Sequence, residues 1–225
     1  MTDSKGGTID AVSAETTRSI MPPYLVLRDF LKEETVADLL DHARTREAQF
    51  APTQTVDGVK PHFRVSVGTR NLGPFRPILK AKILGLVPDW IEKLRVTPIE
   101  SPKLETELVA HNEGAFYKRH IDTQTVSDRD HIRVLSAVYY FHTGSRAFSG
   151  GALRLYAIGG KNASFVDIEP ERNSLLVFPS WAPHEIMPIS CPSGRFIDSR
   201  FAINCWVHRE KPKLAGQINL NDGPN

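Results

Sequence analysis

After Pro102 the apolar residues of this chain stop recurring at helical spacing and begin to alternate in short runs bounded by Gly, Pro and Asp. Successive side chains of a strand point to opposite faces, so each such run has one face to bury and needs a second layer to cover it. Eight runs read this way: 104–111, 116–121, 133–141, 152–156, 164–168, 174–178, 184–189 and 199–208. Many short strands separated by turn residues predict a sandwich or barrel. Upstream, the run 24–30 reads as a first strand, and Val36, Leu39, Leu40 and Ala43 mark an amphipathic helix over 33–47. Phe75, Ile78, Leu79 and Leu86 mark a second helix. Pro88 is expected to interrupt it before a short segment carrying Trp90, Ile91 and Leu94. Residues 51–62, with Pro52, Gly58 and Pro61, read as a loop. The expected class is α+β, mostly β, with N-terminal helices supporting one sheet.

A chain of 225 residues can bury one sizeable core. The expected organisation is a disordered segment over 1–20, one domain over 21–210 and a loose tail over 211–225. Basic and acidic residues number 28 and 26 and form no concentrated basic face, which argues against nucleic acid as a partner. No run approaches the ~18 apolar residues of a membrane span, and no signal peptide is expected in the polar first residues. Two cysteines, Cys191 and Cys205, are too few to suggest a disulfide scaffold. A cytoplasmic location is the expectation, and the chain carries no signal of an oligomeric state.

The chemistry concentrates in His120-Ile121-Asp122 and in Pro183-His184-Glu185. On a strand, residues i and i+2 share a side, so His120 and Asp122 present an imidazole and a carboxylate to one point. His184 from another strand completes two histidines and one carboxylate, a donor set that occupies one face of a metal and suits non-haem Fe(II). Alternation along the last strand puts Arg200, Ala202, Asn204 and Trp206 on one face and Phe201, Ile203 and Cys205 on the other. The second set suits a buried layer. The first carries an arginine, which in a polar cavity needs an anionic partner. A 2-oxo acid with a second carboxylate is such a partner, held by two parallel hydrogen bonds. Arg195 competes for that role, but its turn-like setting after Gly194 favours solvent. Arg133 and Arg154 are candidates for the mouth of the site. His131 and His142 read as loop or surface groups, His208 as structural, and Gly150-Gly151 as a tight strand entry.

From Glu107 to Arg209 the chain resembles the prolyl-hydroxylase-like 2-oxoglutarate and Fe(II)-dependent dioxygenases, including the hypoxia-type prolyl hydroxylases. The matching strings begin with Gly114-x-x-Tyr117-x-x-His120-x-Asp122 and Val138-Tyr139-Tyr140-Phe141. Ser149-Gly150-Gly151-Ala152-Leu153-Arg154-Leu155, Asp167-Ile168-Glu169-Pro170, Pro183-His184-Glu185 and Arg200-x5-Trp206 follow in the family's order. The resemblance implies a double-stranded β-helix (jelly roll) with Fe(II) held by His120, Asp122 and His184. It implies 2-oxoglutarate bound through Arg200 and the Tyr140 hydroxyl, with O2 as the second co-substrate and ascorbate as a supporting reductant. It also implies hydroxylation of a C–H bond with release of succinate and CO2, on a prolyl residue of a protein, a free amino acid or a small metabolite.

This chain departs from the family in having His111 where a co-substrate-contacting tyrosine is common, so that His111 is either a co-substrate contact or structural, and in a longer interval between His184 and Arg200. Asn204 stands where a small polar residue is common and lines the co-substrate end in this reading. Two other classes compete. A cupin-type metalloenzyme without 2-oxoglutarate would favour His-x-His with a glutamate. A non-catalytic 2-oxoglutarate sensor would keep the pocket but release no succinate.

Overall fold

The computed structural model describes residues 19–55, 58–123, 130–159 and 164–211. The expectations for residues 1–18, 124–129 and 212–225 lie outside the described residues.

The first part of the chain holds β1 (Leu25–Leu27), α1 (Glu33–Arg44), β2 (Ala51–Pro52), β3 (Arg64–Val65), β4 (Val67–Thr69) and α2 (Phe75–Leu94). Then come β5 (Lys103–His111), β6 (Phe116–His120), β7 (His131–Phe141), β8 (Ser149–Gly150) and β9 (Leu153–Tyr156). The chain continues with β10 (Phe165–Ile168), β11 (Ser174–Pro179), β12 (His184–Ile186), β13 (Ile189–Ser190) and β14 (Arg200–Glu210). A major sheet runs β1-β11-β7-β14-β5-β4-β2, a minor one β10-β9-β12-β6-β3, and β13 pairs with β8. All named pairings are antiparallel. The fold is therefore mostly β with two supporting helices.

Strand alternation sorts the major sheet into two faces, and each builds its own core. Leu135, Ala137, Tyr139 and Phe141 of β7 join Phe201, Ile203, Cys205 and Val207 of β14 under the helices. Val36 and Leu39 of α1 and Leu79, Ile83, Val87 and Trp90 of α2 cover them. The opposite face sends Val138, Tyr140, Leu176, Phe178 and Ala202 toward Leu153, Leu155 and Ile186 of the minor sheet. The expected alternation of the last strand is observed. An Ile83→Ala variant is expected to lose about 2–5 kcal/mol of stability by vacating a fully buried site, read as a lower urea midpoint.

Four sequence expectations need correction. Pro88 does not break the second helix: α2 runs unbroken from Phe75 to Leu94 with Pro88 inside it. A mid-helix proline costs about 3 kcal/mol. Val87, Trp90 and Leu94 are each buried against the sheet, at roughly 1.5–3 kcal/mol per side chain, and together outweigh it. The run 184–189 is two elements, because β12 pairs with β6 and β9 while β13 turns to β8, with Pro188 between. The loop 51–62 begins with β2, a pairing its composition did not signal. His131 lies in β7 with its ring 4.1 Å from that of His208, whereas His142 lies in the loop after β7, as expected, and is buried there. Among the described residues, no helix is long and apolar enough to cross a membrane.

Candidate metal centre

His120 closes β6, Asp122 follows it, and His184 opens β12, directly opposite His120 in the antiparallel pair. That register brings the imidazoles together at a centroid distance of 4.3 Å. Asp122 stands 3.7 Å from His120 Nε2 through Oδ1 and 3.7 Å from His184 Nε2 through Oδ2. One donor atom from each residue lies within 4.8 Å of the other two, a set that could hold a metal ion.

The backbone sets the tautomers. His120 Nδ1 lies 2.8 Å from the Lys118 carbonyl, and His184 Nδ1 lies 2.9 Å from the Ala182 carbonyl. A carbonyl only accepts, so each Nδ1 carries the proton and each Nε2 offers its lone pair to the shared centre. Burial, then the neighbouring His184, pushes the His120 pKa down to about 3, so the ring is neutral and ready to ligate at pH 7. Burial pushes the Asp122 carboxyl up. The two histidines and the Ser136 hydroxyl outweigh it and hold Asp122 below the usual carboxylate range.

Ser136 Oγ donates to Asp122 Oδ2 at 2.7 Å and lies 2.9 Å from Ser180 Oγ, while the Asp122 N–H donates to the Ser180 carbonyl at 2.9 Å. These supports were not singled out in the sequence, although Ser136 alternates with Val138 and Tyr140 on the cavity face. Ser136→Ala is expected to weaken Fe(II) affinity about 10–100-fold, measured by anaerobic metal titration, while the fold persists.

The triad opens on a cavity of about 730 Å³ that also holds Arg200, His111, Asn204 and Trp206. Arg200 is 1% exposed. Its Nη1 donates to His111 Nδ1 at 3.3 Å, and its guanidinium lies 4.7 Å over the Tyr140 ring. Arg200 Nε and Nη2 and the Tyr140 hydroxyl are buried with no partner. Burial pushes the Tyr140 phenol up and the His111 imidazole well down, so both are neutral at pH 7. A neutral His111 that accepts from Arg200 through Nδ1 carries its proton on Nε2. Gly151, at φ +74°, allows the close approach: a Cβ there would sit 2.7 Å from Arg200 Cδ. A buried guanidinium with two unpaired nitrogens needs an anion, and beside it stands an unpaired hydroxyl that can donate to the same group. Fe(II) suits the donor set, and an oxo acid with a second carboxylate suits the deep end.

The competing arginine is elsewhere. Arg195 is a surface group paired with Asp198 at 2.8 Å. Arg133 lines the cavity, whereas Arg154 lies outside it in a bidentate pair with Asp167.

Geometry of this kind defines a class, the non-haem iron enzymes that take a 2-oxo acid as co-substrate. Residues 106–208 match the model of the 2OG-Fe(II) oxygenase superfamily. The chain is 29% identical over 205 residues to an uncharacterized PKHD-type hydroxylase of Synechocystis sp., covering 87% of this chain and 67% of that protein. Among solved structures, a Pseudomonas putida prolyl-4-hydroxylase superposes with a TM-score of 0.63 at 25% identity, over 84% of this chain and 93% of that one. A Trichoplax adhaerens prolyl hydroxylase, solved with a hypoxia inducible factor oxygen degradation domain peptide fragment, gives 0.63 at 22% identity, with 83% of each chain covered. The chain is similar, over residues 106–208, to the 2-oxoglutarate and Fe(II) oxygenases and, in fold, to prolyl hydroxylases. Its cofactor is Fe(II), and its co-substrates are 2-oxoglutarate and O2.

Proposed function

We infer that the two sheets form a jelly-roll core whose mouth carries the metal, and that His120, Asp122 and His184 are its ligands. In the same reading Arg200 and Tyr140 receive the distal carboxylate of 2-oxoglutarate. His111 positions Arg200 and offers its Nε2–H to the cavity, and Asn204 lies on the wall between Arg200 and Trp206. The enzyme is a hydroxylase, and a prolyl group or another amino acid or small metabolite is its substrate class. When bound, the iron with 2-oxoglutarate and O2 supplies the oxidation of a C–H bond, with succinate and CO2 as co-products.

The protein's own contribution is binding and orientation. The Lys118 and Ala182 carbonyls hold the imidazoles in one tautomer, and Ser136 holds the carboxylate in one rotamer. The buried Arg200 sets the depth to which a dicarboxylate enters. The single observation that carries the reading is the unpaired, fully buried edge of Arg200 beside Tyr140, in the cavity onto which the triad opens.

The test is anaerobic addition of 2-oxoglutarate to the Fe(II)-loaded protein. A visible iron-to-oxo-acid charge-transfer band is the expected result. A folded, iron-loaded protein without that band would overturn the reading. Succinate release in air then separates an enzyme from a sensor that only binds.

A further inference from the structure

Arg200 stands at one end of the cavity face of β14 and Trp206 at the other, six residues and about 20 Å of strand apart. Trp206 pairs with Ser136, which holds Asp122, so the wall around Trp206 lies level with the metal centre and away from the Arg200 end. With the co-substrate anchored at Arg200, the Trp206 end is left for the substrate. That end is built from charge.

The Arg133 guanidinium lies 3.9 Å over the Trp206 ring and donates to Glu105 Oε2 at 2.8 Å, while its Nε is buried without a partner. Arg70 donates to the other oxygen of Glu105 at 3.1 Å. Two residues along β5, Glu107 accepts from Arg64 at 3.2 Å through Oε2. Arg64 lies 4.8 Å over the Tyr117 ring, which stacks on the ligand His120 at 3.6 Å. Both pairs are largely buried, with side-chain exposures of 7% and 18% for Arg64 and Glu107, and 11% and 14% for Arg133 and Glu105. Buried ion pairs are poor stabilisers, because desolvation cancels most of the attraction, and apolar replacements often do as well. Their place on a cavity wall, with one guanidinium nitrogen unpaired, points to recognition.

We propose that the substrate is a free α-amino acid, bound as its zwitterion with the carboxylate on Arg133 and the ammonium on Glu107. The proposal rests on the hydroxylase reading above and names the substrate of that same site. Glu105 and Glu107 are two residues apart on one face of β5, about 7 Å. Arg133 sits on the first of them, so the separation matches an α-carboxylate and an α-ammonium, each with its own hydrogen bond. An internal residue of a peptide would bring only neutral amides to these points, leaving Arg133 Nε with a weaker partner. The Trp206 ring supplies the apolar contact for the side chain. The reaction balances: one oxygen atom of O2 enters the C–H bond, the other enters succinate, and 2-oxoglutarate loses CO2.

The test uses the Fe(II)-loaded enzyme with 2-oxoglutarate in air. Succinate release and product mass are followed with each of the twenty free L-amino acids, their carboxamides, their N-acetyl forms, and a proline peptide blocked at both ends. At least one free amino acid is expected to raise succinate release about 10-fold or more and to gain one oxygen atom. Its carboxamide and N-acetyl form are expected to lose roughly 100-fold in kcat/KM, as when one partner of a buried charge pair is removed. Absence of stimulation by every free amino acid, with the charge-transfer band present, overturns the proposal. Equal turnover of the blocked peptide overturns it too. Absence of the band assigns the failure to the hydroxylase reading instead.

Arg133→Gln locates the carboxylate: KM for the free acid is expected to rise at least about 30-fold, while KM for the carboxamide stays within about twofold. Glu107→Gln reads the ammonium end in the same way against the N-acetyl form. Equal losses for charged and blocked substrates would make these residues scaffold and overturn the assignment.

Discussion

Arg200→Met is expected to give a protein at least as stable as the wild type without co-substrate, yet unable to be stabilised by 2-oxoglutarate. Arg200 is 1% exposed, and two of its guanidinium nitrogens have no partner, so in the empty cavity it is a desolvated charge held mainly by a 3.3 Å bond to His111. Replacing a buried ion by an apolar side chain of similar volume is often neutral or stabilising by about 1–4 kcal/mol. The loss appears on binding. Removing one partner of a buried, hydrogen-bonded charge pair costs about 2–5 kcal/mol, so affinity for 2-oxoglutarate should fall by roughly 100-fold or more. Urea unfolding with and without 2-oxoglutarate checks both halves. At 100 times its dissociation constant the ligand should add about 2.7 kcal/mol to the wild type and almost nothing to the variant. A variant strongly destabilised without ligand would show that Arg200 serves the fold, and would remove it from the co-substrate site.

His184→Ala is expected to abolish the charge-transfer band and to cut succinate formation by more than about 100-fold. Loss of a group that only supports a metal ligand already costs about 10–100-fold, and His184 is proposed as a ligand itself. It is buried, packs edge-on to Phe178 at 4.7 Å, and has its Nδ1 fixed by the Ala182 carbonyl. The truncation therefore leaves a small void beside an intact β12. Far-ultraviolet circular dichroism should be unchanged, and iron titration should show weakened loading. A retained band with full activity would take His184 out of the ligand set and leave Asp122 and His120 without a third protein donor.

Much of this site is legible in the chain because its chemistry depends on short-range geometry. His120 and Asp122 are two residues apart, and strand periodicity suggested that they converge; in the structure β6 ends at His120, and Asp122 is set in the following bend by its N–H to the Ser180 carbonyl. The split of β14 into a polar and an apolar face follows from the same period, and the structure places Phe201, Ile203 and Cys205 under the helices as expected. Arg200 could be preferred over Arg195 because it keeps the spacing to Trp206 that the resemblance implies, whereas Arg195 follows a turn glycine. The error at Pro88 has a different origin. Local propensity opposes a helix there, but the buried row Val87, Trp90 and Leu94 acts through tertiary contacts that propensity does not contain.

What the sequence determined by itself was the alternating pattern that demands two faced sheets, the donor types, and the arginine that needs an anion. The tertiary structure alone decided which side chains meet. The register of β12 on β6 sets His184 against His120, and Ser136 reaches Asp122 from another strand. Arg70 from the bend after β4, Glu105 from β5 and Arg133 from β7 make one network beside Trp206. Periodicity acts within a run of a few residues, whereas pairing, register and burial couple residues far apart in the chain. A metal centre and its walls are therefore assembled by the packing, from residues whose types the sequence had already supplied.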